Sequence, residues 1–286
     1  MKRMIPVLAS VLAVPTLVLA QDAKPLPTVS DQDTATLEKL IGDTLTAKPQ
    51  KARKVLVFSR CEGFIHGDAI AYAIKAFELA AKTGAFSVDF STDYGVLTDR
   101  DNLFTYDALV LNNTTHLKTK DHPALAPNLV AFVNAGKGLC CIHAAADNFY
   151  DSPEGAALVG GLFDGHPWGG GGTWAFKLDE PDNPLNRTLK ASSLKFGDEI
   201  YQQKAPYDRS KLRVLVSLDL ADENTAKQNG QKREDKDFAV SWIQTPGKGR
   251  VFYTSFAHDK RTFLDPARLW HILDGLQYTL GDLEVK

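Results

Sequence analysis

Short apolar runs alternate with amphipathic segments between residues 54 and 143, and this alternation predicts the fold. Four runs are typical of buried β-strands: KVLVFS (54–59), FSVDFST (86–92), YDALVLNN (106–113) and LCCIH (139–143). A helix capped by Asp68 and ending at Gly84 is predicted between the first two strands, and a second helix over 123–138. Strands and helices in this order predict an α/β fold, a mostly parallel sheet with helices on both faces.

Beyond Ser152 the alternation loosens, and antiparallel pairing becomes possible. A helix over 153–159 is followed by the glycine-rich stretch GGLFDGHPWGGGGTW and by four predicted strands, over 174–179, 213–219, 238–244 and 250–256. The turn TPGKG joins the last two strands as a hairpin. The last helix, ARLWHILDGLQYTLG, repeats its apolar residues at helical spacing. Because no repeat or linker interrupts this order, we predict one domain over 51–286.

The first 50 residues have a different character. Lys2 and Arg3 precede an apolar run that ends in Val-Leu-Ala at Ala20, which predicts a signal peptide over 1–20 and a periplasmic or secreted protein without membrane contact after cleavage. An uncleaved membrane anchor is the alternative, although the apolar run is short for a spanning helix. Residues 21–50 are predicted to be a polar extension with a short helix over 35–45.

Composition and cysteine usage narrow the functional class. A formal charge of −2 without a basic stripe gives nucleic-acid binding no electrostatic support. Cys140 and Cys141 are neighbours in a strand, so their side chains point to opposite faces and should not pair. Buried thiols are therefore expected, and a disulfide from Cys61 to either of them is the alternative. Nothing in the sequence indicates an oligomeric state.

Several histidines follow predicted strands, where open α/β sheets bind their ligands. His143 ends the fourth strand, His66 lies in the loop after the first strand, and His258 ends the last predicted strand. Together with Glu199, these three imidazoles make a plausible site for a divalent metal such as Zn²⁺ or Mn²⁺. The alternative is that each histidine is an independent hydrogen-bonding residue.

The other histidines and the glycine run are interpreted as follows. His116 and His122, in a polar loop, and His271, in the last helix, are not expected to take part in the site. The run Gly169–Gly172 lacks the Lys-Ser/Thr pair of a phosphate-binding loop, so it is expected to form a lip of the site.

Five stretches together resemble a known family. GFIHGD, GKGLCCIHAAADNF, LVGGLFDGHPW, DEIY and GKGRVFYTSFAHDKRTFLDP are similar, in order, to motifs of the ThuA-like (trehalose utilisation) family over about residues 54–282. The resemblance implies a flavodoxin-like fold similar to class I glutamine amidotransferases. It also places His143 where amidotransferases carry their nucleophilic cysteine, so thioester chemistry on glutamine is not expected.

Two positions depart from the family pattern. The family often carries arginine where this chain has Ile65, and glycine where it has Ala257. The missing cation argues against an anionic substrate.

The resemblance implies a role in carbohydrate metabolism. The expected protein is a metal-dependent isomerase, hydrolase or lyase that acts on a sugar or 3-keto-sugar, a small-molecule carbohydrate. His166 or Asp147 is the expected acid/base group, and the expected substrate-binding residues are Trp168, Trp174 and Tyr201. A non-catalytic carbohydrate-binding protein is one alternative, and a hydrolase with Cys141 as nucleophile is another.

Overall fold

A nine-stranded sheet forms the centre of this computed structural model, which describes residues 25–286. The strands are β1 (Lys54–Phe58), β2 (Ser87–Ser91), β3 (Ala108–Asn112), β4 (Gly138–Ile142), β5 (Leu162–Phe163), β6 (Trp174–Leu178), β7 (Lys195–Phe196), β8 (Gln203–Lys204), β9 (Arg213–Leu218), β10 (Ala239–Gln244) and β11 (Arg250–Thr254). The helices are α1 (Asp31–Ile41), α2 (Gly67–Lys82), α3 (Gly95–Thr98), α4 (Arg100–Leu103), α5 (Leu125–Asn134), α6 (Pro153–Val159), α7 (Arg187–Lys190), α8 (Glu223–Ala226), α9 (Lys260–Phe263) and α10 (Pro266–Leu280). The predicted signal peptide, 1–20, lies outside the described residues.

The sheet has a parallel half and an antiparallel half. Its strand order is β2-β1-β3-β4-β11-β10-β9-β6-β7. The five neighbouring strands β2, β1, β3, β4 and β11 pair in parallel. The antiparallel half begins with the predicted hairpin β10–β11. The α/β class with helices on both faces of a large sheet is therefore confirmed, and the parallel half carries the carboxyl ends on which the site prediction rests.

Two apolar clusters cover the two faces of the sheet. One contains residues of α1, α2 and α10, and the other residues of α5 and α6. Cys140 belongs to the first cluster and Cys141 to the second, as alternation along β4 requires. All three cysteines are among the described residues and are free, so the disulfide alternative is wrong.

Two helices begin earlier than predicted. Helix α1 starts at Asp31 because the Ser30 hydroxyl accepts a hydrogen bond from the Asp33 amide over 3.1 Å. Helix α2 starts at Gly67, since the His66 carbonyl already accepts from the Ile70 amide over 2.9 Å. Asp68 thus lies in the first turn, where a carboxylate favours the positive end of the helix dipole. His66 is therefore the cap residue, fixed at a helix terminus.

The segment before β1 is attached to the last helix. The Thr46 hydroxyl donates to Asp274 over 2.5 Å, and Gln277 accepts from the Ala47 amide over 3.1 Å.

Among residues 25–286, no helix combines the length and apolar character that crossing a bilayer requires.

Candidate functional site

His143 directly follows β4, at a sharp turn of the backbone. Its backbone has φ +47°, a left-handed conformation uncommon outside glycine, and a 3₁₀ turn, His143–Ala146, follows at once. The ring is fully buried, and Nδ1 donates to the Ser255 carbonyl over 2.6 Å. Since a carbonyl only accepts, Nδ1 carries the proton, and in the neutral ring Nε2 has a free lone pair. The turn after β4 thus presents a fixed imidazole nitrogen.

His258 lies in the loop that follows β11, not in the strand itself. Ala257, with φ +84°, turns the chain, and the Asp198 carboxylate accepts hydrogen bonds from the amides of Ala257 and His258, each over 3.1 Å. Asp198 also accepts from the Thr262 hydroxyl over 2.8 Å and is almost completely buried. A single buried carboxylate therefore fixes the loop that carries His258.

The glycine run packs directly against His258. A Cβ atom at Gly170 would lie 2.8 Å from Cδ2 of His258, closer than contacting carbon atoms normally approach. The Gly170 carbonyl also accepts from Arg261 over 2.6 Å. The run is thus in contact with the site, and glycine at 170 makes room for the imidazole ring.

His66, His143, Glu199 and His258 come together in one cluster. One ligand atom from each lies within 4.8 Å of those of the others. Glu199 Oε1 is 3.6 Å from His143 Nε2 and 3.4 Å from His258 Nδ1. In a tetrahedral site with bonds near 2.1 Å, neighbouring ligand atoms lie about 3.4 Å apart. The spacing of the carboxylate and two imidazoles therefore fits a shared divalent ion.

The unsatisfied nitrogens of the cluster support the same interpretation. His66 Nδ1, His143 Nε2 and His258 Nδ1 are buried and have no hydrogen-bond partner among the described residues. The ring of His66 meets those of His143 and His258 edge-on, at centroid distances of 4.8 and 5.1 Å. Buried polar atoms normally find a partner. Three orphaned imidazole nitrogens beside one carboxylate fit a transition-metal ligand set.

The electrostatics of the cluster favour the metal-binding protonation states of His66 and Glu199. Burial, with the repulsion of His143 and His258, lowers the pKa of His66 to about 2. Burial alone would raise the pKa of Glu199, but the neighbouring His143 and His258 hold that pKa well below its usual range. Burial alone would lower the pKa of His258, but Glu199 outweighs it and raises that pKa. A neutral His66 and an ionised Glu199 are the forms that bind metals.

His166 and Tyr201 border the cluster. Nδ1 of His166 lies 3.4 Å from Glu199 Oε2, and its side chain is half exposed. The ring of Tyr201 packs 4.4 Å from that of His143 and is buried. His166 is thus a half-exposed titratable group in contact with Glu199, and Tyr201 covers one side of the His143 ring.

Asp147 is not part of the four-residue cluster. Its carboxylate lies 3.2 Å from His116 Nε2 and accepts from the Tyr150 hydroxyl over 2.5 Å. His116, which sequence reasoning set aside, is therefore the direct partner of a predicted site residue.

The two tryptophans are in the interior, which does not fit the expectation that they stack on a sugar. Trp168 is fully buried, donates to the Thr225 carbonyl over 2.9 Å and packs on Phe238. Trp174 is nearly as buried and donates to the Asp198 carbonyl over 2.9 Å. Both rings are satisfied core residues, and Trp174 helps to support the segment that carries Glu199.

Cys141 does not fit the role of a nucleophile. It is fully buried within β4, and burial raises its pKa well above the usual value. A thiol nucleophile must be accessible and ionise readily. The hydrolase alternative therefore lacks a reactive thiol at this position.

The sequence did not identify two features of the site region. Asp198 precedes Glu199 and fixes the loop of His258, about sixty residues further along the chain. In the sequence, the only sign of this role was the adjacent acidic pair Asp198-Glu199. Phe64, between Gly63 and Ile65, carries an exposed ring beside His66. An aromatic residue in a loop next to a candidate ligand was the signal for that position.

Comparisons with known proteins agree with this fold. The profile of a family described as ThuA, trehalose utilisation, matches residues 54–279. A ThuA-like protein of Bacteroides uniformis is similar at a TM-score of 0.64 and 22% identity, covering 82% of this chain and 94% of that one. One of Parabacteroides merdae gives 0.56 and 18%, with coverages of 82% and 93%. Curated proteins gave no match.

Proposed function

The chain belongs to the ThuA family, which indicates a carbohydrate-related role, and on that premise we propose that the protein is a metal-dependent enzyme acting on a sugar or 3-keto-sugar. The observation that carries the proposal is the set of three orphaned imidazole nitrogens grouped with the Glu199 carboxylate. His66, His143, Glu199 and His258 would hold a divalent ion, Zn²⁺ or Mn²⁺. Such an ion polarises a carbonyl oxygen or lowers the pKa of a water molecule.

The residues around the cluster have separate roles in this proposal. Glu199 uses Oε1 toward two histidines and Oε2 toward His166, so one carboxylate links the metal ligands to the proton-transfer group. His166 is the acid/base residue in this proposal, because its half-exposed ring is open to solvent and contacts Glu199. Tyr201 covers one side of His143 and excludes water there.

A neutral substrate agrees with the charges near the cluster. Ile65 stands in the loop of His66 and supplies no cation. Lys118, in the loop after β3, is paired with Glu62 over 3.6 Å. Arg261, which donates to the Gly170 carbonyl, is paired with Asp259 over 2.6 Å. We therefore expect a neutral glycoside or keto-glycoside rather than a sugar phosphate. The predicted signal peptide supports a periplasmic or secreted location for this activity.

The proposal is tested by turnover of methyl 3-keto-α-glucoside with protein that has been loaded with Zn²⁺ or Mn²⁺ and, in parallel, stripped with EDTA. NMR of the products separates isomerisation, which retains the glycoside, from hydrolysis, which releases methanol. We expect turnover that is lost with EDTA and restored by the ion, and a His166→Asn variant that binds the ion but turns over slowly. Binding of the sugar without turnover would instead support a carbohydrate-binding protein.

A further inference from the structure

Three large apolar side chains are exposed in the described part of the chain, and all three lie near the cluster. Phe64 is 68% exposed, Ile65 45% and Tyr150 44%. Phe64 and Ile65 directly precede His66, and Tyr150 follows the turn that begins at His143. Leaving a phenylalanine exposed forgoes the free energy that its burial would contribute. Their grouping at one site therefore indicates a binding surface rather than scattered exposure.

The loop that presents Phe64 is held in place on both sides of the residue. The Thr115 hydroxyl donates to the Phe64 carbonyl over 3.0 Å and accepts from the Gly63 amide over 3.2 Å. The ring of Phe64 then meets that of His66 edge-on at 4.8 Å. The aromatic face is thus presented by a fixed loop, in contact with a member of the cluster.

His116 continues this surface toward Tyr150. A Cβ atom at Gly63 would lie 3.1 Å from the His116 ring, so the imidazole lies directly against the Phe64 loop. The His116 side chain is 56% exposed and is oriented by Asp147, 3.2 Å from its Nε2. Its ring lies 5.8 Å from that of Tyr150. Phe64, His116 and Tyr150 therefore form one continuous rim.

The far end of the rim returns to the cluster. The Tyr150 hydroxyl lies 3.4 Å from the Phe163 carbonyl, and the Phe163 ring packs 4.4 Å from Tyr201. Tyr201 in turn contacts His143. The rim is thus connected to the metal ligands at both ends, through His66 and through Tyr201.

We propose that this rim is the sugar subsite, in which the face of Phe64 stacks on a neutral pyranose ring and His116, held by Asp147, hydrogen-bonds its hydroxyl groups. This assignment rests on the proposed function and names the residues that select its substrate. The negative face of an aromatic ring attracts the weakly positive C–H face of a pyranose. An imidazole–carboxylate pair supplies directional hydrogen bonds to the hydroxyl groups of a polyol. The Lys204 ammonium lies over the Tyr150 ring, 4.9 Å from its centroid, and adds a donor at that end of the rim.

The test measures sugar and metal binding separately in the same protein. Titration of Zn²⁺-loaded protein with trehalose and with methyl 3-keto-α-glucoside, followed by saturation-transfer NMR, gives the sugar Kd. Phe64→Ala should weaken binding of the sugar that the wild type takes up by at least tenfold. The matched control Phe104→Ala, which removes a partly exposed phenylalanine from the segment that precedes β3, should change it less than twofold. Zn²⁺ stoichiometry should stay the same in both variants.

A second pair of variants examines the imidazole. His116→Ala should weaken sugar binding at least fivefold, whereas His122→Ala, in the same loop but stacked on Tyr94, should leave it unchanged. Wild-type affinity in Phe64→Ala and His116→Ala would overturn the subsite while leaving the proposed function intact. A wild-type protein that binds Zn²⁺ but neither sugar would overturn both the subsite and the proposed sugar enzyme.

Discussion

The Asp198 carboxylate accepts a hydrogen bond from the backbone amide of His258 over 3.1 Å and so connects two distant segments of the chain at the candidate site. The same carboxylate accepts from the Ala257 amide, and it precedes Glu199. One buried group therefore sets the separation of two proposed metal ligands, Glu199 and His258. Groups that orient metal ligands in this way contribute strongly to metal affinity.

Replacing Asp198 should consequently weaken metal binding. In Asp198→Asn one side-chain oxygen remains as an acceptor, while the other position becomes a donor that faces the amides of the His258 loop. We expect Zn²⁺ affinity to fall about 10–100-fold. Calorimetric titration measures this, with Asp182→Asn as control because that carboxylate is paired with Lys190 on the surface. Equal affinity in the two variants would show that the loop does not depend on Asp198.

The glycine run offers a sterically matched pair of variants. Gly170→Ala places a methyl group 2.8 Å from the His258 ring, whereas a Cβ at Gly171 has no atom within 4 Å. Since ligand geometry tolerates displacements of only about 0.5 Å, we expect Gly170→Ala to lose at least tenfold in Zn²⁺ affinity. Gly171→Ala should match the wild type. If both variants bind alike, the contact with His258 has no bearing on the site.

Acid stability provides a prediction that is independent of the site. His271 is fully buried between Ser241 and the Leu185 carbonyl, and burial lowers its pKa to about 4. The unfolded chain takes up this proton near pH 6.5, so the stabilisation is present above pH 6.5 and is lost as the pH falls to about 4. The loss should approach about 3 kcal/mol.

The measurement compares urea unfolding of wild type and His271→Asn between pH 7 and pH 4, both with EDTA present. The wild-type advantage should shrink as the pH falls, because the variant lacks the titrating group. A difference in unfolding free energy that stays constant over this range would mean that His271 has the same pKa in the folded and the unfolded chain.

The sequence predicts the site only as far as topology allows. His143 and His66 were predictable because parallel strands bring the loops at their carboxyl ends together. Trp168 and Trp174 were expected at the surface because the sequence pattern of a tryptophan beside glycines is the same whether its ring is exposed or buried. The contact of Trp168 with Phe238, which shows that its ring is buried, is visible only in the structure. His116 was overlooked because its pairing with Asp147 joins two loops that no local pattern relates.

Metal titration of the apo protein tests the central claim, that His66, His143, Glu199 and His258 share one ion. We predict one Zn²⁺ or Mn²⁺ per wild-type chain, and at least tenfold weaker binding in His143→Asn, which keeps a residue suited to φ +47°. The double variant His143→Asn/His258→Ala should bind little worse than the poorer single variant, because ligands of one ion are not additive. Folded wild-type protein that takes up neither ion would contradict the account.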